Sequence, residues 1–339
     1  MAKRYLSERQ KSRIQKNQQT RIDRARHNAE NSDESLGQEQ RGLVTARYAR
    51  HVDVQLLEGE KTVTGHCCRC NVRATIGSIA VGDRVVWRQN ERGEGVVVAV
   101  EARRSVIERP DGLGKLKPVA ANIDQVFLVF AIEPEPHSTL IDRYLIAAEN
   151  AHIEAKLVLN KIDLLPGGAI SEDLQVLMDT YRDLGYDIFE VSCHKQLGLE
   201  AVRQALAGKT SVFAGQSGVG KSSLINALLP ELDIRVGELS DAVSKGKHTT
   251  TTACLYELPG EAGGYLIDSP GIREFHLSHF TPEQIYAGYR ELHDVLGHCR
   301  FRDCRHQEEP GCAVKAVIDS GRMRPGRVQS LQFILNSLE

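Results

Sequence analysis

The hydrophobic rhythm of the chain changes three times. Roughly the first thirty positions carry few apolar residues and no period, which predicts no packed element. From 42 onward, strand-length runs at 42–46, 52–57, 62–67, 84–88 and 95–100 are separated by glycine-containing turns. Five short strands with almost no helical period predict a small OB-like β-barrel, with Trp87 facing its core. Beyond 122, strand-like runs at 125–132, 155–159, 188–191, 210–214, 253–258 and 264–267 are interleaved with helical stretches at 139–151, 171–184 and 221–228. That alternation predicts a parallel sheet covered by helices. After about 275 the pattern is helical, contains a knot of Cys and His, and offers no further strand. The expected organisation is multidomain: an arm over 1–40, the OB-like barrel over 41–112, an α/β domain over 113–275 and a helical domain over 276–339.

Composition narrows the class. Of 339 residues, 41% are apolar, enough for several cores. The longest apolar run, 126–132, is far short of the roughly 20 residues of a membrane span. No apolar stretch follows the charged start as a secretory leader requires. A cytoplasmic protein without a membrane partner is expected, its eight cysteines reduced, buried or metal-bound rather than paired. The formal charge of −2 argues at first against a nucleic-acid partner. Taken by segment, the argument reverses. Residues 1–30 hold nine Lys or Arg against three acids, a net of +6, and 41–109 hold twelve against eight, a net of +4. The basic charge is gathered into the arm and barrel, where phosphate backbones would be attracted.

The most specific chemistry is Gly215-Gln216-Ser217-Gly218-Val219-Gly220-Lys221-Ser222, which fits G-x-x-x-x-G-K-[ST] between an apolar strand and a helix that opens with Ser223. Glycines let backbone N–H groups curl around phosphates, Lys221 reaches the β and γ phosphates, and the Ser222 hydroxyl binds Mg²⁺. Asn160-Lys161-Ile162-Asp163 follows a strand and supplies the base preference. A carboxylate at Asp163 accepts two hydrogen bonds that guanine donates and adenine cannot, so the wrong base leaves a charge unsatisfied. Ser192 and Cys193, after another strand, resemble the loop that closes over the base. Asp268-Ser269-Pro270-Gly271 fits D-x-x-G, in which the Asp holds Mg²⁺ through water and the Gly amide senses the γ-phosphate. Between these motifs, Lys245-Gly246-Lys247-His248-Thr249-Thr250-Thr251-Thr252 reads as a switch segment, with Thr249 and Thr250 closing on nucleotide and Thr250 on Mg²⁺.

The order of these motifs is unusual. In ordinary small GTPases the phosphate loop comes first, whereas here Asp163 precedes Lys221 by 58 residues. The domain is therefore expected to be circularly permuted. With a barrel before it and a Cys/His knot after it, the chain resembles the ribosome small-subunit-dependent GTPase A family (RsgA/YjeQ) over nearly its whole length. The resemblance implies a late-acting factor that binds the small ribosomal subunit and its rRNA as a monomer. Such a factor hydrolyses GTP to GDP faster when docked and departs afterwards. Ile272 follows Gly271 where many GTPases carry a water-orienting glutamine, and an aliphatic side chain cannot do that work. His248 is the candidate catalytic group, since imidazole can accept a hydrogen bond from water, and the resemblance carries the same expectation. A GTP-controlled RNA-binding module whose hydrolysis is incidental is the competing reading.

Cys299, Cys304, His306 and Cys312 fall within fourteen residues, and Cys₃His is a tetrahedral zinc set. Spacing alone leaves His298 as a rival to His306; the family pattern selects His306. Four protein ligands close the site, so one structural Zn²⁺ is expected. His66-Cys67-Cys68-x-Cys70 has metal-binding residue types, but adjacent strand residues point to opposite faces, and buried small residues are expected there instead.

Overall fold

The computed structural model describes residues 37–230, 253–268 and 279–338, except positions 50, 60, 91, 92, 112, 113 and 261. Residues 1–36 of the basic arm lie outside them, as do His248, Thr249, Thr250 and Gly271.

The expected barrel is present and closed. Strands β1 (Gln40–Arg47), β2 (His51–Glu58), β3 (Lys61–Val72), β4 (Arg84–Gln89) and β5 (Gly95–Val100) pair in the order β1-β2-β3-β5-β4, and β4 returns to β1. The β3–β5 pair is parallel and the others antiparallel. Inward positions fill the centre with Val44, Val54, Cys70, Val85, Trp87 and Val97. Trp87 needs small neighbours: a Cβ on Gly42 would lie 2.2 Å from Val54 Cγ1 and 2.9 Å from Trp87 Nε1. The cysteines of β3 correct the sequence expectation. Only Cys70 is buried; Cys68 is partly covered and Cys67 is exposed, because period-two alternation turns Cys67 outward while Cys68 and Cys70 share the core side.

A hairpin of β6 (Val106–Pro110) and β7 (Leu116–Ala121), not foreseen in the sequence, follows the barrel and spans the 112/113 boundary. Its backbone stays tied to the barrel, with Ala121 N–H donating to Val81 O at 2.9 Å.

The α/β part uses β8 (Gln125–Ala131), α1 (Ser138–Ala151), β9 (Glu154–Asn160), α2 (Glu172–Asp183), β10 (Ile188–Glu190), α3 (Leu199–Leu206), β11 (Thr210–Ala214), α4 (Lys221–Leu228), β12 (Ala253–Glu257) and β13 (Tyr265–Asp268). The sheet order is β10-β9-β8-β11-β13-β12, parallel throughout except for β12. Every residue of β8 is buried, which explains its unbroken apolar run. Val126, Leu128 and Phe130 face the core beneath α1 and α2. Phe127, Val129 and Ala131 face the core beneath α3 and α4. Helix α2 starts where Ser171 caps it, its hydroxyl accepting from Leu174 N–H at 3.3 Å, with Glu172 and Asp173 complementing the helix dipole. Helix α3 was not recognised in the sequence.

The C-terminal lobe contains α5 (Pro282–Ala287), α6 (Ala313–Asp319) and α7 (Pro325–Asn336). Its core includes Ile285, Tyr289, Val314, Leu331 and Ile334, and borrows Ile146 and Ala147 from α1. A Cβ on Gly288 would fall 2.7 Å from the Ile146 Cα, so glycine there permits the close crossing. Among the described residues no helix is long and apolar enough to cross a membrane.

Candidate nucleotide site and metal centre

In the α/β sheet, β8, β9 and β10 are laid down to one side while β11 and β13 lie to the other, so the order reverses between β8 and β11. Ligands of open α/β sheets gather at the carboxyl ends of strands flanking such a reversal. Gly215 begins the expected phosphate loop there. Its φ is 137°, and a Cβ would stand 2.1 Å from Val129 O on β8. Gly218 and Gly220 also have positive φ, 84° and 92°, turning the chain so that Lys221 opens α4. Lys221 Nζ lies back over the loop, donating to Gly215 O and Gln216 O at 2.6 Å each. Ser222 and Ser223 follow in the first turn, Val219 is buried, and Gln216, Ser217 and Gly218 are exposed at the mouth.

The guanine-type motif is joined to this loop directly. Asn160 ends β9, is buried, and donates from Nδ2 to Val219 O at 2.9 Å. Lys161 adopts left-handed φ of 62°, and its Nζ donates to Glu133 O at 2.7 Å. Asp163 is exposed in a short turn, with the hydroxyl of fully buried Ser192 donating to Oδ1 at 2.5 Å. That bond, with the charges of His194 and Lys195 nearby, holds the Asp163 carboxyl below the usual carboxylate range. The Ser192 oxygen itself accepts from Lys195 N–H at 3.0 Å. Cys193 Sγ donates to Asn160 Oδ1 at 3.6 Å, and burial pushes its thiol up to about 11. Three loops separated in sequence thus form one hydrogen-bonded surface. Asp268 ends β13, the strand beside β11.

One part of this region went unread in the sequence. Residues 132–137 connect β8 to α1, and Pro134 and His137 line, with Gly215 and Gln216, a small pocket of about 20 Å³. The paired prolines at 134 and 136 marked a loop but carried no chemical signature.

In the C-terminal lobe, the ligand atoms of Cys299, Cys304, His306 and Cys312 all lie within 4.8 Å of one another. His306 Nδ1 is 3.5 Å from Cys299 Sγ and 3.4 Å from Cys312 Sγ, and the two sulfurs are 4.0 Å apart. A tetrahedral zinc ion with bonds of about 2.0–2.3 Å would set its ligand atoms about 3.5–3.8 Å apart, so the arrangement fits. Left-handed backbone at His306 (φ 64°) and a glycine turn at Gly311 (φ 74°) fold the loop onto itself. Backbone N–H groups of Ala313 and Lys315 point at Cys299 and Cys312, at 3.4 and 3.3 Å.

The sequence signature of the RsgA GTPase family matches residues 100–278. Small ribosomal subunit biogenesis GTPase RsgA of Azotobacter vinelandii is 51% identical over 343 residues, covering 100% of this chain and 98% of its own. The chain belongs to the RsgA GTPase family. A Pseudomonas aeruginosa RsgA is 50% identical over the same span. The structure of YjeQ from Thermotoga maritima superposes with a TM-score of 0.70 at 33% identity, covering 89% of this chain and 99% of that one. YloQ, described as a circularly permuted GTPase, gives a TM-score of 0.66 at 25% identity over 89% and 95%. As an RsgA GTPase the chain has a guanine nucleotide as its ligand. Its guanine-motif strands precede its phosphate-loop strand in sequence while occupying one sheet, which is the permuted order in physical form.

Proposed function

We propose that this chain is a GTPase of small ribosomal subunit biogenesis that hydrolyses GTP when docked on the small subunit and assists its late maturation. Relatives of near-identical length that carry that name support the reading. The observation that carries the chemistry is the bond from Asn160 Nδ2 to Val219 O, which ties the base-reading motif to the phosphate loop.

Asn160, Lys161 and Asp163 with Ser192 and Cys193 take the guanine. Gly215 through Ser223, with Lys221 as the cation, take the phosphates. Asp163 enters already ionised and oriented by Ser192, so no charge has to be created when the base arrives. Ser222, with Thr250 and Asp268, would hold Mg²⁺, which when bound neutralises charge on the β and γ phosphates. His248 orients the attacking water, with Thr249 and Gly271 closing on the γ-phosphate. Zn²⁺ on Cys299, Cys304, His306 and Cys312 is structural, because four protein ligands leave no open position. The protein works as a cytoplasmic monomer, and its basic arm and barrel attract rRNA backbone.

The test is GTP turnover by the full chain alone, with purified small subunits, and with large subunits as control. Acceleration by small subunits only is expected; equal rates in all three overturn the proposal.

A further inference from the structure

The GTPase domain and the C-terminal lobe are joined through α1, and at the centre of that joint is a cluster of charges withdrawn from solvent. Arg327 of α7 donates through Nη1 to Asp142 Oδ1 of α1, and through Nε and Nη2 to both carboxylate oxygens of Glu291 at 2.8 Å each. The three side chains are 2%, 0% and 6% exposed. The guanidinium carbon lies 4.3 Å from the centre of the Tyr289 ring, and Tyr181 of α2 donates its hydroxyl to Asp142 Oδ1 at 2.7 Å. Four separate segments therefore meet on one cation. Around it, Arg290 Nε donates to Glu149 at 2.6 Å and Asn150 Nδ2 to Gln284 O at 2.9 Å, both tying α1 to the lobe.

Such a cluster is a poor choice for stability alone. Dehydrating three charges costs several kcal/mol per ion, and apolar residues of similar volume commonly hold such a joint as well or better. What buried charges add is direction, since a fork bound to two carboxylates accepts one arrangement and rejects sliding. The other end of α1 is fastened to the nucleotide site. The segment leading into it supplies Glu133 O to Lys161, and its Pro134 stands beside Gly218, whose added Cβ would be 4.0 Å from Pro134 Cδ.

We infer that Asp142, Arg327 and Glu291 are positioning residues that lock the C-terminal lobe to α1, so that occupancy of the nucleotide site and the attitude of the lobe are coupled through that helix. The inference deepens the function proposed above and rests on it for its ribosomal readout. Removing Arg327 alone would strand two buried carboxylates, so the informative variant replaces all three: Asp142→Leu, Glu291→Leu and Arg327→Met. It is expected to fold, bind zinc and hydrolyse GTP without ribosomes as the parent does. Its turnover on small subunits is expected to fall roughly ten-fold. Stimulation within about two-fold of the parent, or loss of folding in this apolar variant, overturns the inference, the latter because the cluster would then serve stability. A second arm needs no ribosome. Amide hydrogen exchange in α7 should change when a nonhydrolysable GTP analogue binds the parent chain and stay unchanged in the variant. Indifference of α7 to nucleotide in the parent also overturns the inference. If the parent is not stimulated by small subunits, the proposed function fails while this arm still decides the coupling.

Discussion

Ala46 of the barrel and Asp268 of the GTPase sheet stand on one rung, paired to Cys254 from opposite sides. The barrel and the sheet are therefore continuous through β12, whose first residue, Ala253, pairs with Arg47. At Cys254 the strand is held on both edges, by Ala46 on one side and Asp268 on the other. Cys254→Pro is expected to cost about 3 kcal/mol and to loosen the barrel with the sheet. Denaturant unfolding followed by Trp87 fluorescence checks this, since Trp87 is buried in the barrel.

Gly220 lies directly against Asn160 where the two nucleotide loops meet. Its φ is 92°, and a Cβ would be 2.3 Å from Asn160 Nδ2. Gly220→Ala should displace Asn160, break its bond to Val219 and weaken GTP binding by at least about ten-fold, with a stability cost of about 1–3 kcal/mol. Titration with a fluorescent guanine nucleotide reads the first effect and thermal unfolding the second.

In the function proposed above, base choice rests on Asp163. Asp163→Asn replaces two acceptors with one acceptor and a donor, and is expected to lower GTP affinity roughly 100-fold while improving that for xanthosine triphosphate. The carboxyl is held below its ordinary value by Ser192, so its ionised form persists as pH falls past the usual aspartate range near 3.9 and is lost only below it. Ser192→Ala should move the acid limb of nucleotide binding upward in pH; an unmoved limb would assign Ser192 no part in setting that charge.

Chelation of zinc, or Cys312→Ser, should release the C-terminal lobe. Cys312 is buried in the same core as Val314, Leu331 and Ile334, so losing the ligand set removes the clasp on that core. Circular dichroism should show lost helix while the nucleotide site, built from the α/β sheet, still binds GTP.

His248→Ala is expected to abolish most subunit-stimulated turnover with nucleotide affinity nearly unchanged. Loss of affinity instead would remove His248 from the catalytic role.

The barrel was legible because its strands are separated by turns and alternate by two, and the phosphate loop because glycine, lysine and serine at fixed spacing leave few other uses. Strand β8 was legible as apolar but not as central, since burial on both faces erases the alternation that would have distinguished it. Glu133 and Pro134 were missed because one contributes a carbonyl and the other a ring edge, and neither requires a particular side chain. The Asp142–Arg327–Glu291 cluster was invisible for a related reason: its members are separated by up to 185 positions, and charges on helices ordinarily face water.

The sheet order also dictates a sequence of events during synthesis. Within the α/β sheet, strands β8, β9 and β10 emerge first, yet the neighbour that completes β8 is β11, and β13 must then join β11. Until residue 214 has left the ribosome, the edge of the most apolar strand in the domain has no partner, an exposure that invites misassembly. The half built on β8, β9 and β10 thus waits, unfinished, for β11 to be inserted beside it. A nucleotide bound as proposed, across both halves, would stabilise a newly made chain against reopening that seam.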